Sequence, residues 1–420
     1  MSNNINYCGI DFGTSNSTLG LFIDGEAQLV NLEHNHNTIP SAIFYEEDSK
    51  EITFGRQALD YYRNGYDGRL LRSFKSILGS SLMKETTQIN DESICFSEVI
   101  ETFLKHLKET AEKKHNVQLD NVVIGRPIHF VDDDKERDNA AQKSLLKAAK
   151  NVGFKKVKFQ YEPIAASLKY EASLDDEKLV LIVDIGGGTS DISIVKLSPK
   201  KALHKDRAKD CLANMGIHIG GTDFDTNLSL QNIMPLLGYK KPLKKNGMHI
   251  PNHFYTTLST WYKINFAYSL KYSLGLQSLK NQLIDLTCFD RLEKVVDERH
   301  GFSLAMITEE AKIHLSNMDL ITQDLDFIET GLNVEFSKED LSEAINRQIK
   351  GIIKTTDACI KKAKLKSKDI DSIFLTGGSS QMAIIKEKIS EHYKDIPIDN
   401  QDALSSVATG LVIEAQKQFG

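Results

Sequence analysis

Short β-rich apolar runs alternate along this chain with stretches in which apolar residues recur every three to four positions, the pattern of alternating strands and helices. Residues 5–45 read as a series of strands joined by turns, and residues 70–78 as a short helical stretch ending at Gly79. Val99, Phe103, Leu107 and Ala111 fall on one face, so residues 94–114 predict an amphipathic helix. A buried-type strand at 121–124 runs into Gly125-Arg126-Pro127, and an Ala- and Lys-rich helix over 138–152 closes at Gly153. A strand at 156–161 follows, then a helix from Glu162 with Pro163 in its first turn. A second series opens with strands at 179–184 and 192–195. It ends with helices at 308–316 and 337–363, a strand at 371–375 and helices at 382–392 and 410–418. Between them, residues 232–301 carry Pro242, Pro251, the only Trp and several tyrosines without repeat, and predict a mainly helical insertion.

Two turns repeat one local design. Gly9-Ile10-Asp11-Phe12-Gly13-Thr14-Ser15 and Val183-Asp184-Ile185-Gly186-Gly187-Gly188-Thr189-Ser190-Asp191 each end a strand at an aspartate, pass through glycine and a hydroxyl residue, and resume as a strand. Glycine lets backbone N–H groups close on a phosphate, and the aspartate is placed to hold a metal ion on its far side. A third turn, Thr376-Gly377-Gly378-Ser379-Ser380, leads into a helix whose N-terminus suits an anion or a ribose. One such turn is weak evidence. Three in this order predict a polyphosphate clamped between two similar halves.

Composition narrows the class. At 420 residues the chain exceeds the usual limit of one hydrophobic core, so at least two domains are expected. With 40% hydrophobic and 26% charged residues it belongs with globular chains and not disordered ones. A net charge of −6 gives no general field for nucleic acid or anionic membrane, so phosphate binding must be local. The polar start lacks a signal-peptide pattern, and the longest apolar run, residues 179–183, is far below the roughly 20 residues of a membrane helix. Five scattered cysteines fit free thiols in a reducing cytoplasm. His249 and His253 have Pro251 between them, which argues against a helical metal site, and the lysine-rich run 361–368 reads as a solvated helix end.

Taken together, the three turns resemble those of the actin-like ATPase superfamily, and within it the nucleotide-binding domain of the heat shock protein 70 (DnaK) chaperones. The likeness spans nearly the whole chain. Glu162-Pro163-Ile164-Ala165-Ala166 is similar to the family's first connecting helix, and Gly220-Gly221-Thr222-Asp223-Phe224-Asp225 to a signature that separates the chaperones from actin and sugar kinases. Phe74-Lys75-Ser76-Ile77-Leu78-Gly79 resembles the segment carrying their catalytic lysine. Val123 to Ile128 with Phe159 to Pro163 looks most like the short, YegD-type members. The resemblance implies an α/β, actin-like ATPase fold: two duplicated ribonuclease H-like lobes flanking a central nucleotide cleft. Lobe I would span residues 1–173, with a C-terminal helix at 400–420 returning to it. Lobe II would span 174–399, with a mainly helical subdomain at about 228–306.

The same resemblance implies an ATP/ADP site with Mg²⁺. Asp11 and Asp184 would hold the Mg²⁺ through water. Backbone groups of Gly13, Thr14, Ser15 and Asn16, and of Gly186, Gly187, Gly188 and Thr189, would take the phosphates, with Gly220, Gly221, Gly377, Gly378 and Ser379 around the rest of the nucleotide. Lys75 would orient the attacking water, and Glu162, Thr189 and Asp191 would complete its shell. Glu309, Lys312 and Ser316, on one helical face, match residues that hold ribose and adenine. Ile313 and Gln381 stand where the chaperones carry arginines that stack on adenine, which predicts weaker binding. The leading reading is a slow Mg²⁺-dependent ATPase without the peptide-binding domain, signalling nucleotide state to a protein partner of the exchange-factor or co-chaperone kind. It is expected as a cytoplasmic monomer, bound to neither nucleic acid nor membrane. A non-hydrolysing nucleotide-sensing scaffold and, below it, a sugar or small-acid kinase are the alternatives.

Overall fold

The computed structural model describes residues 5–89, 92–131, 134–171, 174–199, 210–244, 248–282, 284, 286–399 and 406–420. The expected boundary residue 173 and the first six residues of the expected 400–420 helix lie outside these. By contact density the chain forms two compact units. The first holds residues 1–220, 351–381 and 385–420; the second holds 221–350 and 382–384. The expected lobe boundary at 173/174 falls inside the first unit.

Within the first unit two sheets share one topology. In the first sheet Tyr7–Asp11 is flanked on one side by the antiparallel strands Asn16–Ile23 and Glu26–Leu29, and on the other by the parallel strands Asn121–Arg126 and Lys156–Tyr161. In the second, Lys178–Ile185 is flanked by antiparallel Ser190–Leu197 and Cys211–Ile217, and by parallel Ser372–Thr376 and Ile398–Asp399. The parallel strands need long crossovers, and the helices Phe96–His115 and Lys135–Asn151 lie in those of the first sheet. Both central strands end at the acidic turns.

Two helices close the core. Glu162–Glu171 packs on Lys178–Ile185 and Ser190–Leu197, while Ser406–Phe419 packs on Tyr7–Asp11, Asn16–Ile23 and Asn121–Arg126, and the two helices pack on each other. Their shared core contains Val123, Ala165, Ala166, Ile182, Val195, Phe374, Leu411 and Ala415, all nearly or fully buried. Each large side chain sealed this way contributes roughly 1.5–3 kcal/mol. The contact is close because Gly9 and Gly410 have no side chain. A methyl on Gly9 would sit 2.5 Å from the Val412 backbone nitrogen, and one on Gly410 would land on the Ala165 carbonyl.

One expected element changes type. Residues 70–72 belong to the strand Gly68–Arg72, paired with Ala42–Glu46, and only Phe74–Ile77 makes a single tight helical turn. Leu70 and Leu71 are buried in that sheet, and Ser73, at φ 58°, breaks the run between strand and turn. The second unit is mainly helical, with Gly221–Asn232, Asn252–Ser259, Leu286–Asp297 and Gly301–His314 beside one hairpin, Leu320–Asp324 with Asn333–Ser337. No helix among the described residues is long and apolar enough to cross a membrane.

Gly410→Ala tests the helix crossing. At an exposed helical site this change adds about 1 kcal/mol of stability; here it is expected to remove at least about 2 kcal/mol, read as a lower melting temperature. An unchanged or raised melting temperature would overturn the crossing.

Candidate functional site

The first turn is held from both sides by serines. Ser17 Oγ accepts the Gly13 N–H at 3.2 Å, Ser41 Oγ donates to the Gly13 carbonyl at 2.7 Å, and the two hydroxyls bond each other at 2.9 Å. The Ser41 N–H also donates to the Ser15 carbonyl at 2.9 Å, and its carbonyl accepts the Ser73 N–H at 3.3 Å. One buried serine therefore ties the turn to the segment that carries Lys75. In the second turn the Gly186 N–H donates to the Thr189 carbonyl at 2.9 Å, and Ser379 Oγ, from the third turn, donates to the Gly186 carbonyl at 2.9 Å.

Glycine is required where these turns touch. A methyl on Gly187 would strike Ser15 Oγ, and one on Gly188 would lie 2.8 Å from Thr14 Oγ1. One on Gly220 would lie 2.6 Å from the Gly187 carbonyl carbon, and one on Gly377, at φ 84°, would strike Asp184 Oδ1. The structure thus gathers Asp11, Gly13 to Ser15, Asp184, Gly186 to Thr189, Gly220, Gly377, Gly378 and Ser379 into one cluster, with Asn16 at the exposed start of its strand.

Beside the turns lies a concentration of charge. Lys75 Nζ donates to Glu162 Oε1 at 2.9 Å, and both side chains are buried. Gly125 leaves the room for this, since a methyl there would come within 3.2 Å of Glu162 Cγ. Asp184 and Asp191 are buried too, and Asp191 Oδ2 accepts Thr189 Oγ1 at 3.3 Å. Burial, then the charge of Glu162, lifts the Asp11 carboxyl from its usual 3.8 to about 7, although Lys75 pulls it down. Burial and Glu162 likewise raise Asp184 and Asp191. Burial works against the Lys75 charge, but Glu162, Asp11 and Asp191 outweigh it and raise its pKa above the ordinary lysine value. One ammonium faces four carboxyl groups.

Gly221, Glu309, Lys312 and Ser316 belong to the second unit. There Lys312 Nζ is buried against Asp225 Oδ1 at 2.6 Å and donates to the Gly221 carbonyl at 3.3 Å. Asp225 also accepts Trp261 Nε1 at 3.0 Å, so Lys312 closes a polar core contact. Ser316 is a correction: the helix Gly301–His314 stops before it, and the chain tightens into three-residue turns, with the Ser316 N–H on the Ile313 carbonyl at 3.2 Å. Ile313 is 55% exposed. Gln381 bonds Ser380 and accepts Lys386 Nζ at 3.0 Å.

Sequence reasoning missed Ser17, Ser41 and the backbone N–H of Ile128, which donates to Asp191 Oδ1 at 2.6 Å. No motif signals the serines: Ser17 lies in the strand that follows the turn, and Ser41 reaches it from the bend between Thr38–Pro40 and Ala42–Glu46.

A family model described as Hsp70 protein matches residues 7–234 and 290–418. The chain belongs to the Hsp70 protein family. With that family comes the actin-like ATPase fold, whose doubled sheet topology is described above. The unmatched stretch, 235–289, lies in the helical second unit. The chain is 24% identical to the chaperone protein DnaK of Carsonella ruddii, covering 97% of this chain and 62% of the relative. Against DnaK of Mycoplasma mobile the figures are 24%, 97% and 57%. Against the chaperone protein HscA homolog of Haemophilus influenzae (strain PittGG) they are 25%, 98% and 58%. The chain therefore spans about three fifths of the length of these relatives.

The charge imbalance has a sign that can be checked in chelator. A carboxyl raised in the folded state binds its proton more tightly there than when unfolded, so stability falls as pH rises from the unfolded value of 3.8 towards about 7 and stays low above it. The melting temperature in EDTA is expected to fall between about pH 5 and about pH 8, and Asp11→Asn to flatten that fall and melt several degrees higher at the upper end. A variant that melts lower than wild type throughout would contradict the repulsion.

Proposed function

We propose that the glycine-turn cluster binds ATP with Mg²⁺ and hydrolyses it slowly to ADP and phosphate. The observation that carries this reading is the pairing of two touching glycine turns with four carboxyl groups and a single buried amine. Glycine at 187, 188 and 220 keeps side chains off the backbone of the second turn, as close approach of a phosphate requires, and the uncompensated carboxylates call for a cation. Among the described residues no group of three or more His, Cys, Asp or Glu side chains is placed to hold a metal. That suits Mg²⁺, which keeps much of its water shell and takes few protein carboxylates, here Asp11 and Asp184. When bound, the ion would neutralise charge on the phosphates.

The chain's own groups then divide the work. Lys75, kept protonated by its carboxylate neighbours, orients the attacking water and offsets charge on the terminal phosphate. Glu162 fixes the ammonium. Thr189 and Asp191 position the water from the other side, and its proton passes to Glu162 or Asp191. The ribose and base are assigned to Gly220, Gly377, Gly378 and Ser379 of the first unit, and Gly221, Glu309, Lys312 and Ser316 are candidates by their match to the family's ribose and adenine residues; within the second unit Lys312 also braces Asp225. The fold would work as two lobes, 1–173 and 174–399, whose angle follows the nucleotide and is sensed by a protein partner of the exchange-factor or co-chaperone kind. We place the protein in the cytoplasm as a monomer.

Steady-state phosphate release decides between turnover and sensing. Lys75→Ala is expected to lower the wild-type rate by at least roughly tenfold while leaving nucleotide binding in place. Equal, near-zero rates in both would replace the ATPase with the nucleotide-sensing scaffold. Because Ile313 and Gln381 replace a cation–π contact of roughly 0.5–2 kcal/mol each, calorimetry is expected to give micromolar ADP affinity. Nanomolar affinity would refute the weakened adenine contact.

A further inference from the structure

Arg126 ends the strand Asn121–Arg126 and is buried. Its Nε donates to the Pro127 carbonyl at 2.9 Å, and its Nη2 donates to the Ile128 carbonyl at 3.1 Å and to Asp138 Oδ2 at 3.0 Å. Its Nη1 donates to Gln142 Oε1, and its plane lies over the rings of Phe130, at 5.1 Å, and Tyr161, at 5.3 Å. Asp138 Oδ1 in turn accepts the Phe130 N–H at 2.6 Å. Two carbonyls and one amide of the turn 127–130 are thereby fixed by one ion pair. The Ile128 N–H is left to donate to Asp191 Oδ1 at 2.6 Å. On the strand beside Asp191, Gly216 keeps the space clear, since a methyl there would lie 3.1 Å from the same oxygen.

We infer that Arg126 is a positioning residue for Asp191. By locking the 127–130 turn it aims the Ile128 N–H at one carboxylate oxygen and leaves the other, already accepting Thr189 Oγ1, to face the reacting water. A fork of parallel donors is needed to hold two carbonyls and a carboxylate together, and a lysine ammonium does not reproduce it. The inference rests on the proposed ATPase only for its kinetic consequence. The geometric consequence is independent of nucleotide.

Arg126→Lys keeps the charge opposite Asp138 and removes the fork. In the nucleotide-free protein, hydrogen exchange at the Ile128 amide is expected to speed up by about tenfold or more, while amides of the adjoining strand hold their protection. With ATP, kcat is expected to fall by about tenfold, with KM within about twofold of wild type. The double variant Arg126→Met with Asp138→Leu removes both charges without leaving one buried and unpaired, and is expected to show the same pair of changes. An Ile128 amide that exchanges freely in the wild type overturns the inference, as does a folded variant with wild-type protection and kcat. A wild type without turnover sinks the ATPase reading and leaves the exchange result to judge Arg126.

Discussion

Four carboxyl groups around one buried ammonium set the terms for the rest of the first unit. In a low-dielectric interior such an imbalance is costly, and a fold can lower it by raising pKa values, by importing a cation, or by exposing the groups. Here the groups stay inside. The raised pKa values of Asp11, Asp184 and Asp191 record the cost in the protein by itself. The glycine turns beside them supply N–H dipoles that favour an anion over a second cation. On the proposed reading a cation at the carboxylates and a phosphate at the turns would be neighbours, which is what a metal-bridged phosphate requires.

The doubled topology explains how two aspartates come to equivalent places. Each central strand is antiparallel to the strand after it and parallel to a strand reached by a crossover, so each ends in a turn at the same edge of its sheet. Facing turns with side chains on both sides of their contact would hold the sheets apart. Gly187 against Ser15 and Gly188 against Thr14 let the backbone of the second turn seat directly on the hydroxyl side chains of the first instead. Ser41 adds a mechanical link, because one residue bonds the first turn through its hydroxyl and N–H and the lysine segment through its carbonyl.

What could be read from the chain was whatever is encoded locally. The strand at residues 156–161 follows from the alternation of Val157, Phe159 and Tyr161 with polar residues, the acidic turns follow from apolar runs that end at Asp and Gly, and the family follows from the order of the turns. Residues 70–72 defeated the same reasoning, because the two-residue apolar run Leu70-Leu71 carries no period, and only pairing with Ala42–Glu46 makes it a strand. The helix before Ser316 ends without a glycine stop signal, so its length was overread. Lys312 was legible as a residue on a helical face but not as the partner of Asp225, a contact 87 positions away in sequence. Ser41, Ile128 and Arg126 share that property: their roles lie in contacts that spacing does not encode.

The helix Ser406–Phe419 packs on the strand Tyr7–Asp11, so the first sheet is completed by a segment synthesised roughly 400 residues later. During translation the face of that sheet formed by Tyr7, Gly9, Val123 and their neighbours has no native cover, however much of its hydrogen bonding is already in place. Folding of the first half must therefore be provisional until the last helix emerges, and a nascent chain stalled before it presents an open apolar face. A member of a chaperone family is in this respect a demanding client during its own synthesis.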